Sequence, residues 1–268
     1  MNPEPDGDDV VVVIAPRGAT NAADRRFLAV AAAGVLGVDL LFVRLERRCP
    51  HCGGRDHGQP QVVVLPGTAS NSHAASHPAS SPLHVSLSRA GSCVAFALTF
   101  LGPVGIDIES VADVSRARFD AVAFGPAELA VLGELSGLDA AEARARLWTA
   151  KEAALKCTGD GLRVDLRDLT IFLPGRHSPN APRLAGWHGA RVPVDSIRLR
   201  GVAPGPGLVG TVAVLTEGRL TEGRLTECRL TEDRLTEGRL TDGRRAPGEP
   251  TVHLLLAADI RHDATEPA

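Results

Sequence analysis

Residues 104–109 read Val-Gly-Ile-Asp-Ile-Glu, and the interpretation of the whole chain starts from this segment. Apolar and acidic residues alternate in it, which predicts a β-strand with Ile106 and Ile108 on one face. The carboxylates of Asp107 and Glu109 then point to the other face, with their Cα atoms roughly 6.5–7 Å apart. Two acids at that separation repel each other, and an oxygen-binding cation such as Mg2+ would relieve the repulsion. Taken alone, the segment also fits an edge strand with a solvated polar face.

A second charged segment, WTAKEAALK, begins 41 residues after Asp107 and spans residues 148–156. On a helix, Trp148, Glu152 and Lys156 share one stripe, because they are spaced four residues apart. If that stripe faces the strand, Glu152 is the third carboxylate of a metal site and Lys156 supplies a cation for phosphate oxygens. The alternative is a Glu-to-Lys pair on a solvated helix face.

Lysine is nearly absent from the chain. Of its 29 basic residues 27 are arginine, and the two lysines, Lys151 and Lys156, lie in this same helix. An ammonium group is a compact point charge that a guanidinium does not replace. We therefore expect both lysines to serve the site.

The flanking sequence predicts alternating strands and helices. Residues 22–36 and 139–157 are predicted helices, the second ending before Gly159. The predicted strands cover residues 10–14, 40–45, 61–65, 84–87, 93–100, 104–109, 164–173, 191–200, 208–215 and 251–257. We expect 40–45 and 61–65 to form a hairpin, and 208–215 to pair with 251–257 as a closing hairpin.

Two segments have low-complexity composition. Residues 68–82 are small, polar and rich in proline, which predicts a mobile loop. Residues 216–245 contain six copies of a five-residue unit related to TEGRL. A period of five matches neither a helix nor a strand, so we predict a poorly ordered insertion; an arm that binds a partner is the alternative.

Composition indicates a soluble globular protein, with 44% hydrophobic and 23% charged residues. We expect a cytoplasmic protein without a membrane span, because no apolar run approaches the roughly 20 residues of a membrane helix and the first residues are acidic. The formal net charge of −3 argues against nucleic acid as a partner.

The five cysteines are an odd number, which argues against a disulfide framework. Cys49 and Cys52 form a Cys-x-x-Cys pair, and His51 or His57 is a candidate third ligand for zinc. No second Cys-x-x-Cys lies nearby, so a turn with reduced thiols is the preferred interpretation.

The two charged segments together resemble the signature of 4'-phosphopantetheinyl transferases of the surfactin-synthetase type. That signature is G-(I/V)-D-(I/V)-E, some forty residues, then W-(S/T)-x-K-E-A-x-x-K, and it matches from Gly105 to Glu109 and from Trp148 to Lys156. The resemblance implies transfer of the 4'-phosphopantetheine arm of coenzyme A to a serine of an acyl or peptidyl carrier protein. It leaves open which carrier or pathway is served.

The resemblance also implies roles for individual residues. Mg2+ would be held by Asp107, Glu109 and Glu152, and Glu152 is the candidate base. Lys156 and Lys151 would hold phosphate oxygens, with Lys156 preferred because it shares the Glu152 stripe.

Two further elements match the family imperfectly. The segment HVSLSRAG at 84–91 is similar to S-x-S-H-S-G and implies coenzyme A contacts by Ser88 and Arg89, with arginine in place of the family's histidine. His57 and Gln59 are similar to the family's H-G-(K/R)-P turn, where Gln59 lacks the usual charge.

The fold implied by the resemblance is α+β. We expect two similar halves, residues 1–103 and 104–268, each a helix packed on a small antiparallel sheet, with the active site in the cleft between them, in a monomer. Two rival functions are considered: a relative that binds coenzyme A or a carrier without catalysis, because of Arg89 and Gln59, and a metal-dependent nuclease. The nuclease is disfavoured by the acidic net charge and by the 3% aromatic content.

Overall fold

The computed structural model describes residues 9–66, 81–175, 181–216 and 251–256 of the chain. Helices in this part lie on sheets of six and three strands, and a separate ribbon has two. Nearly all strand pairs are antiparallel. The α+β prediction is confirmed.

The larger sheet carries one helix. Its strands are β1 (Asp9–Pro16), β2 (Val43–Arg48), β3 (Gln59–Val64), β4 (His84–Ala90), β5 (Cys93–Thr99) and β11 (Thr251–Leu256), in the order β11-β1-β5-β4-β3-β2. Helix α1 (Asn21–Leu36) begins where Thr20 Oγ1 accepts a hydrogen bond from Ala23 N, and it ends at Gly37 in the left-handed conformation. The helix packs on this sheet through Leu28 and its neighbours.

The smaller sheet carries the longest helix. Strands β6 (Val104–Ser110), β9 (Ile197–Val202) and β10 (Leu208–Leu215) lie in the order β6-β10-β9, and helix α5 (Gly137–Thr158) packs across β6 and β10. The short helices α2 (Val111–Arg116), α3 (Asp120–Ala123) and α4 (Pro126–Gly133) lead to α5, and β7 (Leu169–Phe172) pairs with β8 (Arg183–Trp187). As predicted, Gly159 ends α5, with φ of +76°.

Strand β1 is apolar along most of its length because both of its faces are covered. Val11 and Val13 pack in the cluster that contains α1, whereas Val10 and Val12 pack in a cluster with the smaller sheet. That second cluster includes Ile106, Ile108, Val212 and Val214. An apolar layer therefore joins the two sheets and fixes β6 against β1 and its neighbours.

The predicted closing hairpin is wrong. Strand β11 pairs in parallel with β1, from Asp9 opposite Thr251 to Ile14 opposite Leu256. Strand β10 is the central strand of its sheet and has β6 and β9 on its two sides, so it has no free edge for β11. The final strand thus belongs to the sheet of the first half, although its residues fall in the predicted second half. The boundary near residue 103 stays a prediction.

The predicted loop 68–82 and the repeat 216–245 lie almost wholly outside the described residues. The structure therefore does not test the predictions made for them.

In the part of the chain that the structure describes, no helix combines the length and the apolar character needed to cross a lipid bilayer.

Candidate active site

The site is built where α5 lies directly on β6. Gly105 makes this approach possible: a Cβ atom at this position would lie 2.1 Å from Ala153 O and 2.5 Å from Cys157 N of the helix. Since the backbones are that close, side chains of the odd-numbered residues of β6 meet the Glu152 and Lys156 stripe of α5. The alternation predicted from the sequence is confirmed, because Ile106 and Ile108 face the apolar layer instead.

Asp107 is the most deeply buried carboxylate of the site, with 3% of its surface exposed. Its Oδ1 accepts hydrogen bonds from Lys156 Nζ at 2.6 Å and from Ser88 Oγ at 2.9 Å. Its Oδ2 is buried without a hydrogen-bond partner among the described residues. Burial raises the pKa of Asp107, although Lys156 and Ser88 oppose this shift.

Glu109 follows on the same face and is held by an aromatic side chain. Trp148 Nε1 donates to Glu109 Oε1 at 3.3 Å, and the Trp148 ring lies 4.3 Å from that of Phe119, centroid to centroid. Burial, and then the nearby Asp107 charge, raise the pKa of Glu109 to about 7. Ionising this group near neutral pH therefore costs free energy unless a cation compensates.

Glu152 completes the group of acids from the helix side. Its Oε1 is buried and lacks a hydrogen-bond partner in the described structure. Burial and the Asp107 charge raise its pKa. The donor set of Asp107, Glu109 and Glu152 fits a hard divalent cation such as Mg2+, because it is all oxygen and two buried oxygens have no partner. The ligand oxygens of these three acids do not all lie within 4.8 Å of one another.

Lys156 occupies the position predicted for it. Its ammonium contacts Asp107 Oδ1, Ile106 O at 3.2 Å and Ser88 Oγ at 3.3 Å, and 31% of its side chain is exposed. Ser88 comes from β4 of the larger sheet. Both sheets therefore contribute to this cluster, as expected for a site between the two halves.

The prediction that Lys151 holds phosphate is wrong. Lys151 is fully buried, and its Nζ lies 2.5 Å from Glu128 Oε2, 2.7 Å from Ala123 O and 2.9 Å from Leu166 O. An ammonium has three protons, and these three oxygens accept them. Lys151 therefore ties α5 to the α3–α4 region and does not face a ligand.

Three further residues predicted to contact coenzyme A have hydrogen-bond or ion-pair partners within the protein: Arg89, Gln59 and His57. Arg89 Nε lies 2.5 Å from Asp24 Oδ2, so Arg89 is partly engaged by α1. The side-chain amide of Gln59 donates to Lys156 O at 2.6 Å and to Cys157 O at 3.2 Å, so Gln59 contacts the end of α5, and its coenzyme A contact stays a prediction. His57 has protein partners at both ring nitrogens, Asp56 Oδ1 and Cys52 Sγ, and its coenzyme A contact likewise stays a prediction.

Sequence reasoning missed two acids, Glu128 and Asp24. Glu128 accepts hydrogen bonds from Gly125 N and Ile171 N besides pairing with Lys151, and Asp24 accepts from Gly18 N besides pairing with Arg89. The Gly-Pro-Ala-Glu segment at the start of α4 was a signal for Glu128, because a glutamate at the third helical position commonly caps a helix. No local pattern pointed to Asp24 as a partner of Arg89.

A pocket lies between residues 50–59 and the elements around the smaller sheet, apart from the three carboxylates of the site. Among its lining residues are Pro50, His51, Gln59, Asp160 and Arg191. None of the three acids of the site lines it. The carboxylate cluster is the candidate site, because it holds buried oxygens that have no hydrogen-bond partner among the described residues.

Comparison with known proteins gives a family match for part of the chain. Residues 103–198 match the model of the family described as the 4'-phosphopantetheinyl transferase superfamily, and these residues include Asp107, Glu109, Glu152 and Lys156. No curated protein matches the chain.

Similar solved structures cover less than half of the chain. Holo-[acyl-carrier-protein] synthase of Thermotoga maritima is 20% identical with a TM-score of 0.34, covering 44% of this chain and 64% of its own. The enzyme of Neisseria meningitidis is 20% identical with a TM-score of 0.34, covering 43% and 98%. The Helicobacter pylori enzyme, solved with coenzyme A, is 22% identical with a TM-score of 0.33, covering 42% and 99%. This chain thus spans about 64% of the Thermotoga protein's length.

Proposed function

We propose that this chain transfers the 4'-phosphopantetheine arm of coenzyme A to a serine of an acyl or peptidyl carrier protein and releases 3',5'-ADP. The observation that carries the proposal is the pair of unpartnered buried oxygens, Asp107 Oδ2 and Glu152 Oε1, beside the Lys156 ammonium. Carboxylates and a cation in one partly buried cluster suit chemistry on a pyrophosphate. The match of residues 103–198 to the 4'-phosphopantetheinyl transferase superfamily supports the same reaction.

We propose that Asp107, Glu109 and Glu152 hold Mg2+. All three offer carboxylate oxygens, which is the ligand type that Mg2+ prefers. When bound, Mg2+ would neutralise negative charge on the pyrophosphate of coenzyme A. Trp148 keeps Glu109 in place through its indole N–H, and Ser88 does the same for Asp107.

Glu152 is the proposed general base. Its pKa is raised by burial, so its carboxylate is a stronger base than an exposed glutamate. It accepts the proton of the carrier serine while the serine oxygen forms a bond to the phosphorus nearer the pantetheine. The bond from that phosphorus to the bridging oxygen breaks, and the electron pair leaves with 3',5'-ADP.

Lys156 is the proposed catalytic cation. Its ammonium is held by Ile106 O and Asp107, while part of the side chain reaches solvent. This partial exposure supports the proposal that Lys156 contacts phosphate oxygens of coenzyme A. Ser88 and Arg89 of β4 remain proposed contacts from the larger sheet, and we propose a monomer because one chain supplies the whole cluster.

The test is intact-mass measurement of an apo carrier protein incubated with the full chain, coenzyme A and Mg2+. We expect the carrier to gain one phosphopantetheine arm, and the gain to be lost with Glu152→Gln. Glu134→Gln is the matched control, because Glu134 is an exposed glutamate at the end of α4. Chelation by EDTA should stop the reaction, and added Mg2+ should restore it.

Full transfer by Glu152→Gln would contradict the assigned base and metal ligand. An absence of transfer to several carrier types, together with retained coenzyme A binding, would contradict the proposed activity. That result would favour the relative that binds without catalysis.

A further inference from the structure

The turn between β2 and β3 brings two sulfur atoms and one imidazole together. Cys49, Cys52 and His57 each offer a ligand atom, and these atoms all lie within 4.8 Å of one another. Cys52 Sγ and His57 Nε2 are 3.3 Å apart, and both cysteines are free thiols. None of these three residues belongs to the carboxylate cluster of Asp107, Glu109 and Glu152, so the two groups are separate.

The backbone of the turn is folded around the sulfur atoms. Cys49 N donates to Gly54 O, and Gly53 N donates to Cys49 O, both at 2.9 Å. Gly54 N donates to Cys52 Sγ at 3.4 Å. N–H groups directed at sulfur stabilise the thiolate, which is the form that binds a metal ion.

The His57 ring is oriented in the way that metal-ligating histidines are. Its Nδ1 lies 2.8 Å from Asp56 Oδ1, so Nδ1 carries the proton that the carboxylate accepts. Nε2 is then the ring nitrogen with a free lone pair, and it is the atom that faces Cys52 Sγ. A carboxylate behind a histidine in this arrangement fixes its tautomer and raises its basicity.

We propose that Cys49, Cys52 and His57 bind a zinc-class divalent cation, with solvent as the fourth ligand. Two sulfurs and one imidazole are soft and borderline ligands, which select zinc over Mg2+. Cys52 and His57 are exposed, so a water molecule can reach the fourth position. The spacing Cys-x-x-Cys-x-x-x-x-His supplies all three ligands from nine residues.

The position of the turn gives the ion a structural role. His51 Nε2 lies 3.1 Å from Gly159 O, and Pro50 Cγ lies 2.7 Å from where a Cβ atom of Gly159 would be. At the base of the same loop, Gln59 donates to Lys156 O. The ion thus holds the turn against the end of α5, the helix that carries Glu152 and Lys156.

The first experiment measures metal binding by the full chain under reducing conditions. We expect purified protein, loaded with Zn2+ and then desalted, to retain one zinc ion per chain. Co2+ in place of zinc should give the charge-transfer absorption of thiolate bound to cobalt. Both signals should be lost in Cys52→Ser and kept in Cys93→Ser, a matched cysteine control on β5. No retained zinc in the unaltered chain, or equal cobalt absorption in Cys52→Ser, would overturn the proposal.

A second variant separates metal binding from folding. Asp56 is exposed, with 87% of its side chain surface accessible, so Asp56→Asn should leave the fold unchanged. The asparagine side chain of this variant has no carboxylate to accept the hydrogen bond from His57 Nδ1, so zinc affinity should fall by about 10–100-fold. Unchanged affinity in Asp56→Asn would contradict His57 as a ligand. Zn2+ should also raise the melting temperature of the unaltered chain and of Cys93→Ser, but not that of Cys52→Ser.

Discussion

The two lysines of this chain have different surroundings although only five residues separate them. Five residues on a helix correspond to a rotation of about 140°, so Lys151 and Lys156 lie on different faces of α5. Lys156 faces β6 and Asp107, whereas Lys151 points into the core and pairs with Glu128. Scarcity of lysine identified two residues with specific ammonium contacts: Lys151 has a structural role, whereas the role proposed for Lys156 is catalytic.

Lys151→Met should destabilise the protein without removing coenzyme A binding. Removing one partner of a buried ion pair leaves Glu128 uncompensated, which costs about 3–5 kcal/mol of unfolding free energy. Urea unfolding measures the loss, and calorimetric titration with coenzyme A below the melting temperature measures binding. Lys156→Met is the matched comparison and should lose affinity for coenzyme A. A folded Lys151→Met protein that fails to bind coenzyme A would contradict the structural role of Lys151 and support a contact with phosphate.

Stability should depend on pH and Mg2+ together, because the pKa of Glu109 is raised from 4.5 to about 7. For an acid with a raised pKa, the protonated form stabilises the fold, and this contribution is lost as pH rises through about 7. Asp107 and Glu152 shift in the same direction. Mg2+ should therefore raise the melting temperature more at about pH 8 than at about pH 5. Thermal unfolding of zinc-loaded protein measures this, and an equal Mg2+ effect at both pH values would contradict the metal site.

At the scale of elements, the site depends on how closely α5 approaches β6. Gly105 is in extended backbone, so its requirement for glycine comes from space and not from conformation. The atoms that a Cβ would meet, Ala153 O and Cys157 N, belong to the helix backbone and cannot rotate away. Gly105, the first residue of the segment Gly-Ile-Asp-Ile-Glu, thereby allows the short distance between Asp107 on β6 and Lys156 on α5.

Gly105→Ala should push α5 away from β6 and impair both stability and transfer. Overpacking of this kind costs about 1–3 kcal/mol. Gly34→Ala is the control, since Gly34 is an exposed glycine within α1 and a Cβ there meets no atom within 4 Å. That substitution should stabilise the protein by about 0.5–1 kcal/mol. Denaturant unfolding of both variants, with the carrier mass assay, tests the pair; a fully active Gly105→Ala would contradict the proposed close packing.

At the scale of the whole molecule, the last described strand, β11, forms one edge of the larger sheet, beside β1. Leu215 N donates to Pro103 O, and Thr99 Oγ1 donates to Asp9 O, while Asp9 pairs with Thr251. Three residues lie between Thr99 and Pro103, so these contacts connect the end of β10 to the start of β11 through a short stretch of the chain.

Deletion of residues 217–245 should preserve the fold and transfer activity, because β10 ends before these residues, β11 begins after them, and the carboxylate cluster is built from β4, β6 and α5. Truncation after Thr216 should reduce stability, because it removes β11 and leaves the edge of β1 unpaired. Melting temperature, solubility and the carrier mass assay compare the two variants. Loss of activity in the deletion variant with an unchanged melting temperature would instead indicate that the repeat binds the carrier.

Local patterns in the sequence predicted several elements and much of the cluster. The alternation in 104–109 fixed the faces of Ile106 and Asp107, and the four-residue spacing placed Glu152 and Lys156 on one stripe. These features depend on the pleat of a strand and the turn of a helix, which involve neighbouring residues only. At that level a turn with reduced thiols is the preferred interpretation over zinc, because no second Cys-x-x-Cys lies nearby and the cysteines alone do not fix which histidine joins them.

The sequence by itself thus determined the α+β class of the fold and the candidate residues of the cluster, which are the acids Asp107, Glu109 and Glu152 and the cation Lys156. Only the tertiary structure decided the burial of Lys151 with Glu128, the contact of Gln59 with α5, the choice of His57 over His51 beside the cysteines, and the pairing of β11 with β1. Except for the contact of His57 with the cysteines, each of these joins residues at least 23 positions apart in the chain. Such partners depend on which edges and faces the folded chain leaves available, and no local periodicity encodes that.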